Sequence, residues 1–313
     1  MKVQTLAEVA WLALLAAAVV VICTHGRVTT PAAVSGSASA AQPSSQVTDA
    51  NGQRVPVRNY RRIASGSIVA DQLLLALAEP ERIALLTAHG RAHSRTPHLY
   101  GTRPAFTQLS DVEGLRRAHI ELLVLNHLGA PAELERARDA GIQVFNLGEM
   151  RGVATLLTNI DQVAQLLGDR ARGQTLAHAW QRRFAALAGA IPQPQRKSAL
   201  YVSAYAGQLF GGTIGTSYHD VLQAAGLVDS AAQHYRNWPH YDPEQLLQLD
   251  PEVIVAATTS AAQFCGISGL DHLRACAHGA AGVIGVDEAL MSDPGLGMLD
   301  AAEALRARVY GEP

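Results

Sequence analysis

Beyond residue 46, short apolar runs alternate with longer segments of helical periodicity. Short apolar runs bounded by turn residues are typical of buried strands, and apolar residues spaced three or four apart are typical of helices. Strands that alternate with helices indicate βαβ units and a mainly parallel sheet. On these criteria residues 62–65, 82–86, 121–126 and 142–147 are predicted strands, and residues 68–77 and 132–140 are predicted helices, the second ending at Gly141.

A long helical stretch separates this region from a second one of the same kind. Its apolar stripe lies within residues 153–190, is interrupted at Gly168 and Asp169, and ends at the proline-rich residues 191–194. The pattern predicts two similar α/β lobes joined through helix. In the second lobe, residues 199–202 and 253–256 are predicted strands, and residues 218–225 and 243–249 are predicted helices, with Gly226 as a C-cap.

The N-terminus follows a different pattern. Residues 10–23 are apolar and uncharged, a run too short for a membrane span of about 20 residues but suited to the hydrophobic region of an export signal. We therefore expect residues 1–27 to be a signal peptide or membrane anchor. Lipidation at Cys23, cleavage at the small residues 39–41 and an uncleaved anchor all stay open. Residues 28–46 are rich in Ala, Ser, Pro and Thr, which predicts a flexible tether.

Composition and motifs narrow the class of protein. The formal net charge is −2, whereas a nucleic-acid surface needs a basic excess. The chain lacks Gly-x-Ser-x-Gly, a phosphate-binding P-loop, His-Glu-x-x-His and a dinucleotide fingerprint after a strand. The sequence therefore favours a protein that is not an enzyme and does not bind nucleic acid.

Two cysteines remain after Cys23 is assigned to the export signal. Cys265 and Cys276 form an even pair, and a disulfide between them is expected in an oxidising compartment. A buried thiol pair is the alternative. A zinc site with His272 or His278 is disfavoured, because the spacing matches no common zinc finger.

Several segments resemble the substrate-binding proteins of ABC importers for cobalamin, haem and ferric siderophores. Residues 47–55 (VTDANGQRV) resemble the opening hairpin of these proteins, and residues 140–144 match their Gly-Ile-Pro-Val strand entry. Residues 121–125 stand where the family has a Leu-Lys-Pro-Asp-Leu-Val strand, but the Lys-Pro-Asp signature is absent. The order of the segments over residues 47–310 carries the resemblance. The best matches lie in the second half, at residues 215–218 (GTSY), 225–227 (AGL), 238–246 (WPHYDPEQL) and 249–254 (LDPEVI).

The resemblance implies an α/β fold of two Rossmann-like lobes. Their central, mainly parallel sheets are joined by one long α-helix, and the ligand cleft lies between the lobes. We expect an N-terminal lobe over residues 47–150, a bridging helix region over residues 151–192 and a C-terminal lobe over residues 193–313. A helical bridge bends little, so lobe closure is expected to be modest.

The resemblance also implies a docking carboxylate on each lobe. Members of the family meet arginine pockets of the permease through one exposed glutamate per lobe, a pairing with defined geometry and charge. By position, Glu133 is the candidate in the first lobe, with Glu135 beside it, and Glu244 is the candidate in the second.

Ligand-binding residues are expected in the loops that follow the strands, because these loops face the cleft. Trp238 stands where relatives stack an aromatic ring on the ligand, and its flat indole suits a corrin or porphyrin face. Tyrosine and histidine are the ligands of ferric haem, and the loop of residues 89–100 offers one tyrosine and three histidines as possible metal ligands, namely Tyr100, His89, His93 and His98. Which of them coordinates a metal stays open. The candidate ligand-binding set is Ser65, His98, Tyr100, Tyr205, Tyr235 and Trp238.

The function implied is capture of a metal chelate, namely a ferric siderophore, haem or cobalamin, for an ABC importer. The expected partners are the transmembrane permease subunits and the small-molecule ligand. The protein is expected to be a monomer with no intrinsic cofactor, periplasmic or tethered on the outer side of the cytoplasmic membrane. The alternative is a binding protein for a bare transition-metal ion, and an exported enzyme is the remaining class.

Overall fold

A computed structural model describes residues 45–106, 108–126, 131–205 and 207–311. The predicted export signal with Cys23, and the predicted tether up to residue 44, lie outside these residues. No helix in the described ranges has the length and apolarity needed to cross a bilayer.

The strands and helices of the described residues follow the predicted alternation. The strands are β1 Gln46–Thr48, β2 Arg54–Pro56, β3 Ile63–Ser65, β4 Ile83–Thr87, β5 Ala105–Phe106, β6 Leu122–Leu125, β7 Gln143–Asn146, β8 Ser198–Tyr205, β9 Gln208–Gly211, β10 Val228–Asp229, β11 His240–Tyr241, β12 Val253–Ala257 and β13 Val283–Val286. The α-helices are α1 Ile68–Leu77, α2 Ala88–His93, α3 Val112–Arg117, α4 Pro131–Asp139, α5 Val153–Leu166, α6 Arg170–Gly189, α7 Ser217–Ala224, α8 Pro243–Leu249, α9 Thr258–Ala261, α10 Arg274–Ala277, α11 Glu288–Met291 and α12 Met298–Tyr310. Short 3₁₀ helices lie at Pro80–Arg82, Pro97–Tyr100, Gln193–Gln195, Phe264–Gly266 and Gly279–Ala281.

The first lobe is built on a parallel sheet with the strand order β5-β4-β3-β6-β7. Its central strands β3 and β6 are buried along their whole length, as expected when helices cover both faces of a parallel sheet. An antiparallel hairpin of β1 and β2, paired at Val47 and Val55, precedes it. The carboxylate of Asp49 closes the hairpin turn by accepting from the backbone N–H groups of Asn51 and Gln53, each at 2.9 Å.

The second lobe contains a mixed sheet with the order β11-β9-β8-β12-β13, and β10 also pairs with β8. Strands β8, β10, β12 and β13 run parallel, whereas β9 lies antiparallel to both β8 and β11. The antiparallel part is short and lies at one edge. The hydrophobic pattern did not predict it, since strands of two to four residues carry little periodicity.

Two helices, rather than one uninterrupted helix, fill the connection between the sheets. Helix α5 ends at Leu166, Gly168 adopts a left-handed φ of +83°, and the Asp169 side chain then caps α6 by accepting from the backbone N–H of Arg172 at 3.0 Å. Helix α6 is the long one, with 20 residues. It contacts α1 of the first lobe and α7 and α12 of the second, so it is the bridging element. The predicted residue boundaries of the lobes stay predictions.

A loop of the second lobe, residues 292–297, also ties the lobes together. Gln72 in α1 donates to the carboxylate of Asp293 and accepts from the backbone N–H of Leu296 at 2.7 Å. The indole N–H of Trp180 in α6 donates to the carbonyl of Leu296 at 3.3 Å. Burial raises the pKa of Asp293 above its ordinary value. These contacts join both lobes on the α6 side of the molecule.

Cys265 and Cys276 are paired in the structure, with Cα atoms 5.7 Å apart. One lies in the 3₁₀ helix Phe264–Gly266 and the other in α10, and both pack against the core of the second lobe.

We predict that this disulfide forms in protein made in an oxidising compartment and stabilises the fold by about 2–3 kcal/mol, because it closes a short loop in the unfolded chain. Thiol titration of the unfolded, unreduced protein should detect no free Cys265 or Cys276. Two reactive thiols from this pair would contradict the prediction. The matched Cys265→Ser/Cys276→Ser protein should unfold at a lower denaturant concentration.

Candidate functional site

A crevice of about 690 Å3 lies between the lobes, where β4, β12 and β13 end. In α/β sheets the carboxyl ends of parallel strands are the usual place for a ligand site. The first lobe contributes His89 and His93 from α2, which begins directly after β4. The second lobe contributes residues that directly follow β12 and β13, namely Thr258, Thr259, Asp287 and Glu288.

The first-lobe wall depends on how α2 begins. Thr87, the last residue of β4, caps the helix: its hydroxyl accepts from the backbone N–H of Gly90 at 2.9 Å. His89 and His93 lie one helical turn apart and are exposed, with ring centroids 4.3 Å apart. Gly90 leaves no room for a side chain, because a Cβ there would lie 2.1 Å from the carboxylate of Asp71 and 2.8 Å from the hydroxyl of Tyr100.

Asp71 in α1 is the buried anchor beneath this wall. It is fully buried, and its carboxylate accepts from the backbone N–H of Thr87 at 3.0 Å and from the hydroxyls of Thr87 and Tyr100. Burial raises the pKa of Asp71 above its ordinary value, against the opposing effect of these donors. The same carboxylate therefore fixes the end of β4, the start of α2 and the 3₁₀ helix Pro97–Tyr100.

The second-lobe wall is acidic. Asp287 follows β13 and caps α11 by accepting from the backbone N–H of Ala289 at 2.9 Å. Glu288, in the first turn of α11, is exposed. The crevice thus places two carboxylates opposite two imidazoles, with the hydroxyls of Thr258 and Thr259 beside the carboxylates.

An aromatic group lies in the second lobe close to Glu288. Tyr201 and Tyr218 stack with centroids 3.9 Å apart, and Trp238 packs edge-on against Tyr218 at 5.3 Å. Burial raises the pKa of both tyrosines, and the charge of Glu288 raises each further. Trp238 is the most exposed of the three, at 50%, so it presents one apolar ring to solvent.

The structure does not gather the six candidate ligand-binding residues in one place. Ser65 and Tyr100 are buried in the first lobe with hydroxyls directed to Asp71, and His98 is exposed on the 3₁₀ helix outside the crevice lining. Tyr235 packs edge-on against Tyr241 in the second-lobe core, and the side chain of Tyr205 lies outside the described residues. Their ligand-binding roles, and that of Trp238, stay predictions.

The crevice-lining residues of the second lobe were missed by the sequence reasoning. Thr258 and Thr259 directly follow β12, a strand that the sequence predicted, so their position after a strand was the signal that could have found them. Asp287 and Glu288 follow β13, which was not predicted, so no signal led to them. His89 and His93 were noted only as two of several possible metal ligands.

Glu133 and Glu244, the candidate docking residues, both lie in the first turn of a helix. Helix α4 follows β6, and α8 connects β11 to the parallel strand β12. A helix in such a connection begins at the carboxyl edge of its sheet. Both glutamates are therefore on the side of the molecule where the cleft opens. Glu244 is exposed and Glu133 half-buried, and their docking role stays a prediction.

A second cavity of about 440 Å3 adjoins the crevice at His93 and Ala289. Its lining is largely apolar and comes from both lobes and the bridging helix, including Leu75, Leu176 and Leu290. Among the described residues, no group of three or more His, Cys, Asp or Glu side chains is arranged to hold a metal ion.

Comparison with known proteins identifies the family. A sequence model described as "Periplasmic binding protein" matches residues 109–311, which is more than half of the chain. The chain belongs to the periplasmic binding protein family. This confirms the class predicted from the sequence, and members of this family are solute-binding proteins rather than enzymes. No curated protein matches the chain.

Solved structures of periplasmic binding proteins share the fold. A possible iron-binding protein of Staphylococcus epidermidis is 15% identical, with a TM-score of 0.70 over 81% of this chain and 100% of that one. The periplasmic heme-binding protein HutB of Vibrio cholerae is 20% identical, with a TM-score of 0.68 over 80% and 99%. RhuT of Roseiflexus, also described as a periplasmic heme-binding protein, is 20% identical, with a TM-score of 0.65 over 80% and 98%. The two-lobed α/β fold is thereby confirmed.

Proposed function

We propose that this protein is an exported receptor that captures a metal chelate, namely a ferric siderophore, haem or cobalamin, and delivers it to the permease of an ABC importer. The crevice between the lobes carries the proposal, because its first-lobe wall offers two exposed imidazoles at the edge where α/β sheets bind ligands. The names of the similar structures, which refer to iron and heme, support the same class of ligand.

The bare-ion alternative has less support. A site for a free transition-metal ion needs three or four protein ligands that converge on one point. The described residues contain no such group. A chelated metal needs fewer protein ligands, because the chelator supplies most of the coordinating atoms and the protein adds one or two.

Ligand titration of the purified mature protein tests this function. We expect haemin, cyanocobalamin or a ferric siderophore to quench tryptophan fluorescence saturably, with one ligand per protein, and to shift the visible spectrum of the chelate. Protein recovered from its source organism should carry the absorption bands of its ligand. Failure of all three classes to bind, together with binding of a free metal ion, would overturn the proposal in favour of the alternative.

A further inference from the structure

We propose that His89 and His93 together chelate the metal of the transported complex. The protein would then select a complex whose chelator leaves two adjacent coordination positions open. This inference rests on the proposed function and narrows its ligand class. The sequence offered both histidines among several possible metal ligands, but neither was in the candidate ligand-binding set.

The spacing of the two rings fits a shared metal. A metal–nitrogen bond of about 2.0–2.1 Å places the centroid of an imidazole about 3.2 Å from the metal. Two rings bound at right angles then have centroids about 4.5 Å apart, and two rings at a tetrahedral angle about 5.2 Å apart. The observed separation is 4.3 Å, which is closest to the right-angled arrangement of octahedral and square-planar metals.

Both imidazoles are free to bind. The two side chains are exposed and line the crevice. The rings contact each other, and neither makes a hydrogen bond to the described part of the chain. The helix that carries them is held from below by Thr87 and the buried Asp71. A pair of ligands on a supported helix is already organised before the metal arrives, which reduces the entropic cost of binding.

The right-angled arrangement of the two rings is incompatible with axial binding to a macrocyclic chelate. A flat tetradentate macrocycle such as a porphyrin leaves only two axial positions, on opposite faces of the ring. Two imidazoles bound there would have centroids about 6.4 Å apart, so His89 and His93 cannot both bind one such metal without moving. An open-chain chelator that occupies four positions and leaves two adjacent ones fits the pair as it stands.

The charge of the facing wall restricts the complex further. Asp287 and Glu288 lie across the same crevice, and like charges brought together in a partly desolvated site repel. A strongly anionic complex is therefore disfavoured relative to one near neutrality. Imidazole suits iron, nickel, copper and zinc centres, so the ligand class is an open-chain chelate of such a metal with little net charge.

Nickel–nitrilotriacetate is a direct probe, since this chelator occupies four positions of Ni2+ and leaves two adjacent ones for the protein. With tag-free mature protein, calorimetry should show one saturable site. Nickel–EDTA, which has no open position, should not bind. His89→Ala and His93→Ala should each weaken binding by at least about tenfold, by analogy with the loss caused by removing groups that support a metal ligand. His98→Ala is the matched control, because His98 is exposed on the neighbouring 3₁₀ helix outside the crevice lining.

The outcomes separate this inference from the proposed function. Equal losses for His98→Ala and His89→Ala would show non-specific surface binding and overturn the inference, as would unchanged binding in either crevice variant. If haemin binds the wild type and both single variants equally well, or if haemin binding depends on one histidine alone, the proposed function stands and the inference fails. If the nickel probe behaves as expected but no natural class of chelate binds, the pair is supported and the proposed function fails.

Discussion

Replacing Glu133 and Glu244 together with alanine is expected to abolish transport while leaving ligand affinity nearly unchanged. Both residues lie in first turns at the carboxyl edges of their sheets, outside the crevice lining. If they meet permease arginines, each truncation leaves a buried cation without its partner, and loss of such an interfacial pair costs about 2–5 kcal/mol. The fold should survive, because a carboxylate near a helix N-terminus contributes only about 0.3–1 kcal/mol.

The measurement pairs uptake of labelled ligand in cells with ligand titration of the purified protein. Glu113→Ala with Asp271→Ala is the matched control, since it removes one exposed carboxylate from each lobe that is not a docking candidate. The control should transport normally. Undiminished transport by the Glu133/Glu244 variant would rule out both residues as docking groups.

Trp238→Ala gives the opposite phenotype if the indole stacks on the ligand. Ligand affinity should fall by about 1–3 kcal/mol through lost apolar contact, while docking stays intact at saturating ligand. If the glutamate variant instead lost ligand binding and Trp238→Ala did not, the assignments of cleft and docking surface would be reversed.

Asp71→Ala is expected to destabilise the protein by about 2–4 kcal/mol, because it leaves buried donors without an acceptor. The donors are the backbone N–H of Thr87 and the hydroxyls of Thr87 and Tyr100. Loss of these hydrogen bonds should also loosen α2 and therefore weaken ligand binding through His89 and His93. Urea denaturation at neutral pH measures the first effect. Asp139→Ala, an exposed aspartate in α4, is the control and should change the free energy of unfolding by less than about 0.5 kcal/mol.

The pH dependence of Asp71→Asn supplies a second readout. Burial raises the pKa of Asp71 in the folded protein, so its ionised form is less favourable there than in the unfolded chain. Below the pKa of an unfolded aspartate, Asp71 is protonated in both states and does not lower the free energy of unfolding. As pH rises from that value towards the raised pKa of the folded state, the free energy of unfolding falls. Asparagine does not ionise. The free energy of unfolding of Asp71→Asn relative to wild type should consequently increase with pH across that window and be constant above it. A difference that does not depend on pH would show that Asp71 is not buried as described.

Local signals in the sequence determined about half of the strands and helices. The boundaries of α1 and α8 were predicted to the residue, because apolar spacing and end signals agree there; at α8, Asp242 and Gln245 form a reciprocal capping box around Pro243. Strands β6 and β12 were recognisable because strands buried on both faces read as continuous apolar runs. The order of such segments also sufficed to identify the family.

Only the tertiary structure decided which side chains face the crevice. Ser65 ends β3 and Tyr100 ends the 3₁₀ helix after α2, positions that a ligand-binding residue could occupy, yet both turn inward to Asp71 of α1. His89 and His93 look like ordinary loop residues until α2 forms and brings their rings to 4.3 Å. Asp287 and Glu288 reach the opposite wall because β13 pairs with β12 in the sheet. Sequence pattern reports the period and burial of a local element, whereas the direction of a side chain depends on contacts between elements far apart in the chain.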